Sequence, residues 1–105
     1  MPQEFRNARR VLDTTMGTIY TVPSGKTAVI VGCQVANVSG STRSLTMSWV
    51  SGSNETHLAH EVPIPSEAAY EPIGGRLVLT AGMELNASSN ANSSLEVTVS
   101  VLELD

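Results

Sequence analysis

The sequence predicts an all-β protein, an antiparallel sandwich of jelly-roll or immunoglobulin-like type with about eight short strands. Three observations carry this. Residues 94–101 alternate strictly between polar and apolar side chains, with Leu95, Val97, Val99 and Val101 on one face and Ser94, Glu96, Thr98 and Ser100 on the other. Turn signals recur at roughly 8–12-residue spacing, the rhythm of a sandwich. No stretch shows a sustained helical period. A small barrel is the alternative closure of the same strands.

Residues 1–10 are expected to form an N-terminal arm, and residues 11–105 the sandwich domain. The arm segment 2–10 (PQEFRNARR) lacks apolar periodicity and reads as an extended arm or one loose turn, with Phe5 its single apolar anchor. Residues 11–16 read as a first strand, closed by Gly17. Residues 18–22 and 26–38 read as a hairpin around Pro23-Ser24-Gly25-Lys26, in which Pro23 presets φ for the turn's second residue and Gly25 supplies a positive φ. The run 27–38 is apolar on both faces: Val29, Val31, Cys33 and Val35 against Ala28, Ile30, Gly32 and Ala36. Such a strand is either central in a packed domain or covered by another subunit.

Residues 39–42 (SGST) form a turn. Residues 43–50 then alternate, Leu45, Met47 and Trp49 opposing Ser44, Thr46 and Ser48. A weaker strand follows at 56–62. Pro63 and Pro65 exclude residues 62–65 from a sheet interior, because each removes a ladder donor. Residues 66–73 read as strand or coil, 76–80 as a short strand turned by Ala81-Gly82, and 83–87 as its continuation. At Val101-Leu102 two apolar residues meet, so that Leu102 and Leu104 take over the formerly polar face. This marks either a bulge or a terminus that docks on a neighbouring chain.

At 105 residues the chain holds one core, burying about two-thirds of its unfolded surface. Phe5, Tyr20, Trp49 and Tyr70 are its only aromatics, so that core is aliphatic. Charged residues make up 15%, below the roughly 25% usual for soluble domains. Either much of the exterior contacts other subunits or Ser and Thr simply supply it. Residues 1–54 carry five cations against two carboxylates, and residues 55–105 one against eight. That split offers contact between copies, basic arm on acidic flank. Cys33 is the only cysteine, and residues 1–10 lack the apolar core of a signal peptide. A reducing cytoplasm is therefore the expected site of synthesis. Without a signal peptide, the N-x-Ser/Thr triplets at Asn37, Asn54, Asn86 and Asn92 read as chance.

No motif carries chemistry. His57 and His60 are expected on opposite faces of a strand, and no third histidine or second cysteine completes a metal site. Gly25-Lys26-Thr27 resembles the end of a phosphate loop, but Tyr20 stands where the first glycine belongs, and a strand follows where a helix should. A carboxylate pair drawn from Glu61, Glu67 and Glu71 has no pocket signal beside it. Arg6, Arg9 and Arg10, without interleaved aromatics, are a weak nucleic-acid footprint in a chain of net charge −4. The expectation is no enzyme, no cofactor or metal, no small-molecule substrate, no nucleic acid and no membrane.

Four segments resemble small β-sandwich virion proteins of tailed bacteriophages. TIYTVPSGKTAVIVGCQVANVS is similar to their "Y-x-V-P-x-G-K-T" opening, which leads to an apolar strand ending near "x-N-x-S". AHEVPIP (59–65) resembles their "V-P-I-P" connector. LVLTAGMEL (77–85) resembles "L-x-L-x-A-G-D-x-L", with Met83 in place of the Asp. LEVTVSVLE (95–103) resembles their closing strand. The resemblance spans residues 18–103. It implies a structural subunit of the virion, at the neck or collar, tail-attached, or bound to the capsid as decoration. It also implies a homo-oligomer in contact with portal, adaptor, tail or major capsid protein. The expected interface residues are Phe5, Arg6, Arg9, Arg10, Leu102 and Leu104, with the arm as a clasp. A carbohydrate- or receptor-binding module, such as a tail-fibre tip, is the competing reading, with Trp49 and Tyr70 as its available aromatics.

Overall fold

A computed structural model describes residues 3–105; Met1 and Pro2, the first residues of the expected arm, lie outside the described residues. Nine strands form two antiparallel sheets, and no described residue is helical. They are β1 (Gln3–Val11), β2 (Gly17–Thr21), β3 (Thr27–Asn37), β4 (Arg43–Ser51), β5 (Asn54–Ile64), β6 (Ala69–Tyr70), β7 (Leu77–Thr80), β8 (Glu84–Ser89) and β9 (Leu95–Leu104). The first sheet runs β1-β9-β3-β6, with β7 pairing on the same edge of β3 as β6; the second runs β2-β8-β4-β5. Taking β6 and β7 as one interrupted edge strand, this is the eight-stranded order of a jelly roll.

The connections explain why the order is not that of simple hairpins. Residues 18–38 are not a hairpin: β2 pairs with β8 in one sheet, and β3 pairs with β9 in the other. The turn at 23–26 carries the chain across the sandwich. Lys26 N donates to Pro23 O at 3.2 Å, which makes Pro23 the first residue of the turn rather than the second, and Gly25 holds φ 79°. A true hairpin joins β4 to β5 through Gly52-Ser53, where Gly52 has φ 63°.

Both faces of β3 are apolar for a local reason. Its pairing with β9 slips between Ile30 and Gly32, which makes Val31 an extra residue. Ala28 and Ile30 point inward before this bulge, and Cys33, Val35 and Asn37 point inward after it. Val31 is 40% exposed on the outer face. Within the chain one face is covered, split in parity by a bulge, and Val29 and Val31 point outward.

Residues 11–16 are not a strand beyond Val11. Leu12 is fully buried, donates its N–H to Leu95 O at 2.9 Å and accepts from Ser93 N at 3.1 Å. The described residues of the segment read as an arm or loose turn, 3–10, belong with Val11 to a strand laid along β9 in unbroken register from Gln3↔Leu104 to Val11↔Glu96. Local propensity did not decide this; the ladder supplied by β9 did. The buried set includes Ile30, Val35, Leu45, Met47, Ile64, Leu79, Leu85, Leu95, Val97, Val99 and Val101.

Asn37 ties the crossing from β3 to β4. Its amide donates to Ser41 O at 2.8 Å and Ile64 O at 2.9 Å, and its Oδ1 accepts from Ser39 N and Oγ. The N-x-S at the end of the apolar strand is a structural staple in which the Asn37 amide nitrogen and oxygen are both hydrogen-bonded.

Candidate assembly surface

The described residues bring no catalytic set together. His57 and His60, expected on opposite faces, sit edge to face with ring centroids 5.0 Å apart. The pairing of β5 with β4 slips around His57–Ala59 and Glu61 adopts φ 52°, so simple alternation fails there. Glu61 lies 3.5 Å from His60, while Glu71 flanks a shallow hollow beside Val31 and Gly32. No group of three His, Cys, Asp or Glu side chains among the described residues is placed to hold a metal ion. Trp49 and Tyr70 pack against the core rather than forming an exposed aromatic platform.

What the sheets do assemble is a surface. Cross-strand neighbours share a face, and β9 alternates without a bulge to its end, so Val101 and Glu103 point inward while Leu102 and Leu104 point outward. Pairing then aligns Phe5, Leu102, Val29 and Val78 in one row across β1, β9, β3 and β7. Phe5 is 76% exposed and Val78 59%, with exposed Val31 near the row. Leu104 stands one row further, opposite Gln3 and Thr27. Large contiguous apolar patches on an outer face mark interaction surfaces, and this row is the candidate among the described residues. Phe5, Leu102 and Leu104 therefore meet on one face.

The three arginines separate. Arg9 faces outward beside Thr98, and Arg6 and Arg10 face inward by register. Arg10 Nη1 donates to Thr18 O at 3.2 Å, and its guanidinium lies over Gly17, where a Cβ would fall 2.5 Å from Nη2. Arg6 is engaged within its own chain: its Nε donates to Glu103 Oε1 at 2.8 Å, and Nη2 lies 3.0 Å from Glu4 Oε2.

Glu103 is the residue that sequence reasoning missed. It is 2% exposed, accepts from Tyr20 Oη at 2.5 Å and from Arg6, and so joins β9 to β2 of the facing sheet and to β1. The Tyr20 hydroxyl holds its carboxyl below the usual carboxylate range against the opposing effect of burial, with Arg6 assisting; burial, then Glu103, pushes the Tyr20 hydroxyl up. Lys26 Nζ closes the same end of the sheet on Asp105 at 2.6 Å. Met83, standing where the resembled pattern has Asp, places Sδ 3.4 Å from Thr80 N and so still caps its turn.

Cys33 is buried, and burial pushes its thiol up to about 12. We expect no reaction with a thiol-specific reagent in native buffer and one equivalent after unfolding in denaturant, read by colorimetric titration.

No protein-family model matches the sequence, and comparison with curated proteins finds no relative. Solved structures do match. A chain of the acid-stable capsid of Helicobacter pylori bacteriophage KHP30 aligns with a TM-score of 0.59 at 15% identity, over 98% of this chain and 93% of that one. The shared fold is the jelly-roll β-sandwich. A chain of the Bacillus endospore appendages, disulfide-linked pili, gives 0.57 at 12% identity, over 97% and 85%. A pentameric capsid protein from metagenomic phage sequences gives 0.50 at 20% identity, over 90% of this chain; this chain spans 59% of that protein's length.

Proposed function

We propose that this chain is a non-enzymatic structural subunit of a bacteriophage virion, made in the host cytoplasm, which assembles with copies of itself and seats on another virion protein. The observation that carries the reading is the outward apolar row Phe5–Leu102–Val29–Val78, exposed at both ends, beside an open β1 edge. The capsid surface is the seat we propose, ahead of the neck or collar, because the phage-derived structural neighbours are capsid proteins. Recognition would then be by shape and apolar contact across the outer face of the first sheet.

A chain lacking residues 1–10 tests the part played by β1. Nearly every residue of β1 is exposed, and the buried anchor Leu12 is retained, so the truncated chain is expected to melt cooperatively at a lowered temperature. It should fail to co-sediment with particles that retain the full-length chain. Co-sedimentation equal to that of the full-length chain would contradict the assigned role of β1.

A further inference from the structure

We infer that β1 is a two-fold interface, pairing antiparallel with β1 of a second copy in a register centred on Asn7, so that the first sheets of two copies become one. The inference deepens the self-assembly part of the proposed function and rests on it.

The four sheet edges are not alike. β2 is five residues long and its pairing slips between Thr18 and Tyr20. β5 contains Pro63, two register shifts and the positive φ of Glu61. The edge made by β6 and β7 is broken into pieces of two and four residues. These are the devices that blunt an edge against pairing with another chain. β1 is nine residues long, straight in register, and free of proline and of positive φ. No described strand pairs with its far side, and only Ala8 within it is even partly covered. Hydrogen bonds to β9 and a few side-chain ties hold it, with open backbone groups along the other edge.

Charge is the one blunting device β1 does carry, and it selects the register. A two-fold axis between antiparallel strands of one continuous sheet stands perpendicular to that sheet, so inward residues oppose inward residues and the axis passes beside a residue. Centred on Arg6 or on Arg9, the pairing opposes an arginine to itself. Centred on Ala8, it opposes Arg6 to Arg10. Centred on Phe5, it opposes only residues 3–7. Centred on Asn7, it spans the whole strand and sets Glu4 against Arg10 on the inner side. On the outer side it sets Phe5 against Arg9, a cation over an aromatic face. Arg6 then faces Ala8, and no two arginines are opposed. The outer apolar rows of the two copies lie on the same face of the joined sheet, which presents a doubled surface to one larger partner.

Disulfide mapping on the full chain reads the register directly. Opposed Cα atoms in an antiparallel pair lie about 4.5–5.5 Å apart, inside the roughly 4.4–6.8 Å that a disulfide spans. Native Cys33 is buried and does not compete. Asn7→Cys is expected to form a covalent dimer under mild oxidation. Phe5→Cys alone and Arg9→Cys alone are not, because like positions are then about 14 Å apart; the two mixed together should link. Circular dichroism melts of each reduced variant confirm folding. A protein that is monomeric by light scattering at high micromolar concentration, or a dimer in which Asn7→Cys fails to link while another position links to itself, overturns the inference. Particle binding by the same variants separates this from the wider reading. Binding without Asn7 linkage defeats only the interface, whereas absence of binding with linkage intact defeats the virion role.

Discussion

Deletion of Val31 is expected to leave a folded protein whose melting temperature stays within a few degrees of the parent. Val31 is the extra residue of the β3 bulge and its side chain is on the outer face. Without it, Ala28, Ile30, Cys33 and Val35 fall into strict alternation, each keeping its inward place, and pairing with β9 becomes regular. Deletion of Thr98 from β9 should have the opposite result. β9 has no bulge to absorb the loss, so Val99, Val101 and Glu103 would turn outward, while Ser100 would enter the core and Leu102 and Leu104 would be forced into sites shaped for Val101 and Glu103. Exposing two buried valines costs about 1.5–3 kcal/mol each, before the loss of the Glu103 contacts. That is a large share of a stability on the order of 5–15 kcal/mol. Thermal melts followed by circular dichroism should show a cooperative transition for the first deletion and none for the second. Unfolding by the Val31 deletion would mean that the bulge is required for the curvature of the sheet.

Glu103→Gln is expected to destabilise the fold by about 2 kcal/mol, the scale of hydrogen bonds to a charged group. The variant keeps the shape but loses the charge that Arg6 faces and one of the two acceptors. Tyr20→Phe should cost less, because Arg6 still pairs with the carboxylate, and the two effects should be non-additive in a double-mutant cycle. The pH dependence follows from the lowered Glu103 value. A carboxylate whose folded value lies below its unfolded one binds fewer protons in the folded state. Its stabilisation is therefore complete above the ordinary glutamate value of about 4.3 and is lost as pH falls through the folded value. The melting-temperature gap between parent and Glu103→Gln should thus be constant from neutral pH to about pH 5 and narrow below it. A gap that widens on acidification would contradict the assignment.

β9 is legible in the sequence because it covers the core with one face, which period-2 patterning reports directly; in β4 Leu45 and Met47 follow the same rule, but Ser48 on the opposite face is fully buried and bonded to Glu55. At β3 a bulge divides one inward face between two parities, while Val29 and Val31 make the outer face apolar as well. Bulges also brought His57 and His60 together on β5, and no residue-level signal separates a bulge from regular alternation. Glu103 was hidden for a related reason. An acid between Leu102 and Leu104 looks like an outward residue, and only pairing with Arg6 and Tyr20, distant in sequence, makes it an inward one. Leu102 and Leu104 did signal a change at the end of β9, and Phe5 was visible as a lone anchor. Their meeting on one face depends on the register of β1 with β9, which is set by the ladder and not by the composition of residues 3–11. The turn expected at Ala81-Gly82 is present, with Gly82 at φ 86°. At 23–26 the turn was seen, but its partners in two different sheets were not, since a turn looks the same whether the chain folds back or crosses over.

The central claim is that the chain is a built component of a virion. Cryo-electron microscopy of intact particles that carry it tests this most directly. Symmetric density that fits this jelly roll is expected on the capsid surface, with the Phe5–Val78 row against the underlying protein and β1 edges meeting at a two-fold. Density with the row facing solvent, or purified particles that lack the chain, would contradict it.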